Sequence, residues 1–166
     1  MKKAIVSLIL LFALCLTCSC GNTATTTEAK TMPQKPTSEG LAFNLNEDGS
    51  GYMVTGRGTC TDAYTVIPKT HKGFLVTCIG ANAFYDSFNL KSVTLPDSIT
   101  EIKTYAFYRC NSLTKITIPD SVTSIGEYAF SDCKNLTIYC EAESKPDGWD
   151  ESWNISKCPV VWGYQG

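Results

Sequence analysis

The chain has 166 residues, of which 43% are hydrophobic and 18% charged, and its formal net charge is −2 at pH 7. This composition suits one globular domain of ordinary size. A net acidic chain lacks the basic surface that binding to phosphates requires, so no nucleic-acid partner is expected.

The chain opens with Met1-Lys2-Lys3, a short basic start, followed by the apolar run AIVSLILLFALCL. The run stops short of the roughly 20 residues that a membrane-spanning helix needs, so residues 1–19 read as an export signal. It ends in LTCSCGN, where the small Ser19 precedes Cys20 and Gly21 follows. This resembles the lipobox of bacterial lipoproteins, which implies cleavage before a lipidated cysteine and anchoring to a membrane. Cys20 fits that role, with Cys18 as the alternative. Residues 20–40 then form a linker rich in Thr, Pro, Ser and Lys. Its apolar content is too low to offset the entropy of ordering it, so a flexible tether reaching on the order of 25 Å is expected.

The next feature is repetition. Residues 76–98 (VTCIGANAFYDSFNLKSVTLPDS), 99–121 (ITEIKTYAFYRCNSLTKITIPDS) and 122–144 (VTSIGEYAFSDCKNLTIYCEAES) share one length and one register. Ile79, Ile102 and Ile125 coincide, as do the pairs Ala83-Phe84, Ala106-Phe107 and Ala129-Phe130, and Leu90, Leu113 and Leu136. A fixed period of this size signals a solenoid, because one coil cannot shield its own apolar residues and must stack on the next.

Within each unit, Val93 and Leu95, then Ile116 and Ile118, alternate with polar residues, as in a strand with one buried face. Pro96 and Pro119 end those strands because proline cannot donate to a ladder. The segment from Val76 to Ile79 and its equivalents predict a second short strand on the opposite wall. GEYAFSDC and its relatives predict a tight helical turn that places Phe130 and its counterparts in the core. The third outer strand lacks the proline and reads as one residue short after Thr137. The expected fold is α/β and β-rich: a right-handed solenoid of about three 23-residue coils over residues 76–144, capped by residues 41–75 and 145–166. Tyr52, Val54, Val66 and Ile67 supply the first cap. Trp149, Trp153, Val160, Val161 and Trp162 supply the second, since an open apolar cross-section at either end would be insoluble.

The pattern from Ala106-Phe107 through Cys110 and Leu113 to Ile116, Ile118 and Pro119 resembles the BspA-like class of bacterial leucine-rich repeats. The likeness covers residues 76–144 closely and extends into both flanks, with Ser87 standing where the later coils have Cys110 and Cys133. It implies a surface protein, with host-matrix or cell-cell adhesion in some members; no cofactor is expected. Fold alone does not assign that role.

Candidate sites follow from the side chains that such a fold leaves outside. The outward row of the strands is Ser92 and Thr94, then Lys115 and Thr117, then Tyr139, and it is the expected contact for a protein or cell-surface ligand. Trp149 and Trp153, four apart, are an alternative sugar platform. The tyrosines Tyr85 with Tyr108, and Tyr105 with Tyr128, are explained by stacking between coils. Cys110 and Cys133 fit a ladder of small buried hydrophobes, and Cys140 with Cys158 is a possible disulfide in an oxidising compartment. His71 stands in the loop PKTHKG as an expected solvated histidine. Glu141, Glu143, Asp147, Asp150 and Glu151 form an acidic run best read as a solvated face. The one C-x-x-C spacing, Cys15 to Cys18, lies inside the export signal, and no catalytic motif or phosphate loop is present, so a non-catalytic protein without a metal is expected.

Overall fold

The computed structural model describes residues 36–166. The export signal, the lipidation candidate Cys20 and residues 20–35 of the linker lie outside the described residues.

The described residues form strands and turns with no helix, arranged as two parallel walls. One wall contains β2 (Tyr52–Gly56), β5 (Phe74–Ile79), β7 (Glu101–Ile102) and β9 (Ser124–Ile125), each paired in parallel with the next. The other contains β3 (Tyr64–Val66), β6 (Ser92–Thr94), β8 (Lys115–Ile118), β10 (Thr137–Cys140) and β11 (Val160–Val161), also parallel throughout. The chain alternates between the walls, so each circuit adds one strand to both and the described solenoid has about five turns. The three regular coils are therefore flanked by two more. The first cap is a coil made of β2 and β3, and the last is a coil made of β11 and Trp149, which bridges to Ile125.

Two hairpins finish the first coil. The strand β1 (Ala42–Leu45) pairs antiparallel with β2 and covers the edge of its wall. The strand β4 (Thr70–His71) turns back on β5 through Lys72 and Gly73, both at positive φ (48° and 86°), as a two-residue hairpin demands. That turn folds the His71 ring onto Phe43 (4.1 Å between centroids, 16°) and against the edge of Tyr52 (4.7 Å). His71 is accordingly half-buried and stacked, where the sequence suggests a solvated loop residue.

The expected helical turn is absent. Each coil instead places two residues in the left-handed region: Asn82 and Asp86, Tyr105 and Arg109, Tyr128 and Asp132, with φ between 54° and 60°. A left-handed residue two positions on either side of the phenylalanine stops a right-handed helix from propagating. In its place alternate N–H groups point to the next coil. Asn82, Phe84 and Asp86 donate to the carbonyls of Thr104, Ala106 and Tyr108, and Tyr105, Phe107 and Arg109 donate to Glu127, Ala129 and Ser131, at 2.8–3.2 Å. Inter-coil hydrogen bonding therefore also runs along this side.

The core is a set of ladders between these sides. Phe84, Phe107 and Phe130 are fully buried and stack nearly parallel at 5.1 and 5.3 Å, flanked by Ile79, Ile102, Ile125 and Leu90, Leu113, Leu136. The shortening of the third outer strand falls before Thr137, not after it. Thr137 pairs with Lys115, and the register runs unbroken to Cys140 opposite Ile118.

Candidate functional site: the outer face of the second wall

Alternation along β6, β8 and β10 sends Val93, Ile116 and Ile138 into the core and their neighbours outward. Register then sorts the outward side chains into two rows. Tyr64 lies beside Ser92, Ser92 beside Lys115, and Lys115 beside Thr137. In the second row Val66 lies beside Thr94, and Thr117 lies beside Tyr139 and then Val161. The five residues singled out in the sequence, Ser92, Thr94, Lys115, Thr117 and Tyr139, thus share one surface.

Lys115 is the centre of that surface. Its Nζ lies 4.6 Å from the centre of the Tyr139 ring and 4.8 Å from that of Tyr164, and it donates a hydrogen bond to Tyr164 Oη at 3.0 Å. The two rings are 4.8 Å apart and tilted by 58°. The hydrogen bond to Tyr164 raises the pKa of the ammonium above the ordinary lysine value against the opposing effect of desolvation, and the charges of Tyr164 and Tyr139 add smaller contributions in the raising direction. The strands themselves, YTV, SVT, KITI, TIYC and VV, contain no carboxylate, although acids outnumber bases in the chain.

Tyr164 was not foreseeable from the repeat. It lies 49 residues from Lys115, beyond the last strand, and is brought in by a backbone bond from its N–H to the Cys140 carbonyl (2.9 Å). Below this surface, a groove of about 540 Å³ opens at the proline ends of β3 and β6, between Val66, Ile67, Thr94 and Leu95, with the Lys69–Asp97 ion pair (2.7 Å) on its rim.

The other sequence candidates resolve differently. Trp149 and Trp153 are 2% and 6% exposed, so neither offers a ring face to a sugar. Trp149 donates from Nε1 to the Val122 carbonyl (3.0 Å), and Trp153 packs on Phe130. Their apolar area closes the last coil, which is why a platform reading fails. Cys140 and Cys158 are free thiols. Cys110 and Cys133 each reach the carbonyl of the phenylalanine one coil back, Phe84 and Phe107, at 3.0 Å. Cys158 does the same toward Phe130 (3.7 Å), so it continues that column, while Cys140 occupies the Ile118 column of the strand wall. The proposed staple is not formed, because the two thiols belong to different ladders.

On the turn side, Tyr85 stacks on Tyr108 (5.2 Å) and Tyr105 on Tyr128 (5.3 Å), as expected for neighbours in successive coils. The acidic run does not converge. Glu141 accepts from the Asp120 N–H, Glu151 pairs with Lys145 at 2.8 Å, and Asp150 accepts from Ser152. Among the described residues no group of three or more His, Cys, Asp or Glu side chains is arranged to hold a metal ion. No helix among them is long and apolar enough to cross a membrane.

Residues 67–144 match a sequence model described as a BspA type leucine rich repeat region (6 copies). No curated protein sequence matches the chain. Among solved structures, a leucine rich cell surface protein from Faecalibacterium prausnitzii is 29% identical with a TM-score of 0.58, over 81% of this chain and 44% of its own length. A leucine-rich repeat protein from Bacteroides capillosus is 26% identical with a TM-score of 0.63, over 76% of this chain and 95% of its own. The chain therefore spans less than half of the first relative and nearly all of the second. With the repeat register, the stacked coils and the sequence match in agreement, residues 67–144 are built of BspA-type leucine-rich repeats.

Proposed function

We propose that this chain is an exported protein, lipid-anchored through Cys20, whose repeat domain binds a protein or other cell-surface ligand without catalysis. The observation that carries the reading is the convergence of Ser92, Thr94, Lys115, Thr117 and Tyr139 on one wall whose opposite side is committed to the core. Repeat proteins present their ligands with such regular surfaces. Two further features support it: the relative from F. prausnitzii is a cell surface protein, and the amino terminus has the basic, apolar and Ser19-Cys20-Gly21 sequence of an export and lipidation signal. A wall five short strands wide offers a limited area, so adhesion would rest on many anchored copies acting together.

A photo-crosslinking residue placed at Thr117 on intact cells tests the reading. Capture of a surface molecule, lost when the same group is placed at Thr123 on the other wall, is the expected result. Equal labelling from both walls, or none from Thr117, overturns it. Metabolic labelling with a radioactive fatty acid tests the anchor, and label should disappear in Cys20→Ala and persist in Cys18→Ala.

A further inference from the structure

We propose that the hairpin of β4 and β5 seats on a phospholipid bilayer, with the Phe74 and Leu75 side chains entering the acyl boundary and the Lys72 ammonium meeting lipid phosphate. This rests on the lipid anchor of the reading above, which supplies the bilayer, and adds a second, non-covalent contact with it. Three features carry it.

The first is that the hairpin serves no coil. The later coils pair only with the Cys78-Ile79 end of β5, and their own first-wall strands are two residues long. Residues 70 and 72–75 are exposed, and a Cβ added at Gly73 would meet nothing within 4 Å. Phe74 and Leu75, 50% and 46% exposed, alternate to opposite faces of the strand, so no single packing against the domain could bury both. A medium that surrounds the tip can.

The second is bracing. His71 stacks on Phe43 and meets the edge of Tyr52, and the Tyr52 ring lies 6.3 Å from that of Phe74. The two-residue turn thus stands on an aromatic base, and little ordering remains to be done when its tip is immobilised.

The third separates a bilayer from a protein partner. Two half-exposed side chains present roughly 200 Å², against about 800 Å² from each partner in a stable protein interface. A bilayer needs no matching surface, only apolar groups to enter it and a long cation whose head stays at the phosphates. Lys72 makes no ion pair among the described residues, whereas Lys69 is held by Asp97 at 2.7 Å. Glu47 and Asp48 lie in the neighbouring β1–β2 turn, so the tip has no positive excess to select anionic lipid and a zwitterionic phosphate suffices. The place fits as well. The described chain enters the first coil at Pro36 to Ser38, and Thr37 lines one groove with Lys69, the residue before β4. Only residues 21–35 separate Cys20 from that point, so an acylated Cys20 holds this hairpin at high local concentration near lipid, and a weak insertion is enough.

The test uses the full acylated chain in phosphatidylcholine vesicles whose acyl chains carry bromine, which quenches tryptophan on contact. Emission from Trp149, Trp153 and Trp162 is measured in the parent chain and subtracted. Phe74→Trp and Leu75→Trp should each lose at least half of the added emission relative to unbrominated vesicles, and Thr117→Trp on the second wall should lose none. Lys72→Glu combined with Phe74→Trp should reduce the quenching at least twofold. Absence of quenching at Phe74 in a chain that sediments with the vesicles overturns the proposal and leaves the anchor standing. Equal quenching at Thr117, or a crosslink from Phe74 to a second copy in place of quenching, also overturns it. A chain that takes no fatty acid at Cys20 and stays in the supernatant removes the anchor and this proposal together.

Discussion

Trp153 meets the ring of Phe130 edge-on, at 5.9 Å and 89°, where Phe84, Phe107 and Phe130 meet one another in near-parallel stacks. A parallel ring at this place would present another face for a further coil. The perpendicular indole presents its own flank to Trp149 (4.8 Å) and Trp162 (6.5 Å), and the ladder ends in a three-tryptophan cluster. The edge-to-face geometry is a favourable one for aromatic pairs, so termination does not forfeit the packing energy.

Trp153→Ala should destabilise the domain by about 3–5 kcal/mol, the usual cost of emptying a buried aromatic site. It should also expose the apolar end of the solenoid, giving concentration-dependent association that sedimentation would detect. Trp153→Phe should retain the monomer.

Phe107 is the middle rung, touching Phe84 on one side and Phe130 on the other. Phe107→Ala should lower stability by about 3–5 kcal/mol. Phe84→Ala should cost less, because Phe84 loses one stack where Phe107 loses two, each contributing about 0.5–1.5 kcal/mol. Urea unfolding of the two variants, compared at equal slope, measures the difference.

Gly148 admits the last coil to its neighbour. A Cβ at this position would overlap the Thr123 carbonyl oxygen, just where Trp149 bridges to Ile125 and the Asp150 N–H donates to the Ile125 carbonyl (2.8 Å). Gly148→Ala should therefore cost about 1–3 kcal/mol of overpacking strain. Faster amide exchange at Asp150, with exchange at Phe107 changed little, would place the damage in the closing coil.

The thiols offer a pH test. Burial pushes Cys140 up to about 12, and burial followed by the Glu101 charge pushes Cys78 to about 12. Burial, reinforced by Cys133, brings Cys158 to about 11. Unfolded thiols titrate near 9, so the native state holds more protons above that pH. The stability these groups contribute is fully present below about pH 9 and is lost as pH rises toward 11–12, at up to about 1.4 kcal/mol per unit and per thiol. Cys140→Val should flatten the alkaline limb of a stability-against-pH curve. A thiol reagent at pH 8 should leave the native protein unmodified and label it in denaturant with or without prior reduction.

The repeat was legible because its cause is local to the period. Each coil must present the same apolar column to its neighbours, so Ile102, Phe107, Leu113 and Ile116 recur at fixed offsets, and alternation along SVT and KITI tells inside from outside. From that alone follow the ladders, the two walls and the outward placement of Ser92, Thr94, Lys115, Thr117 and Tyr139. What escaped was everything set by contacts between unlike segments. The turn containing Phe107 spells a helix locally, yet bonds to the adjacent coil and left-handed residues at Tyr105 and Arg109 hold it open.

The tail reads by composition as a pair of tryptophans and a pair of cysteines available for sugar or disulfide. Only the stacked structure commits Trp153 to Phe130 and Cys158 to the column of Cys133. Tyr164 carries no periodic mark at all, and reaches Lys115 because the last turn folds back on Cys140. Periodicity encodes what a coil owes to a copy of itself. The caps and the Lys115 site are made where the copies stop, and there side-chain identity acquires meaning only from the surface it lands on.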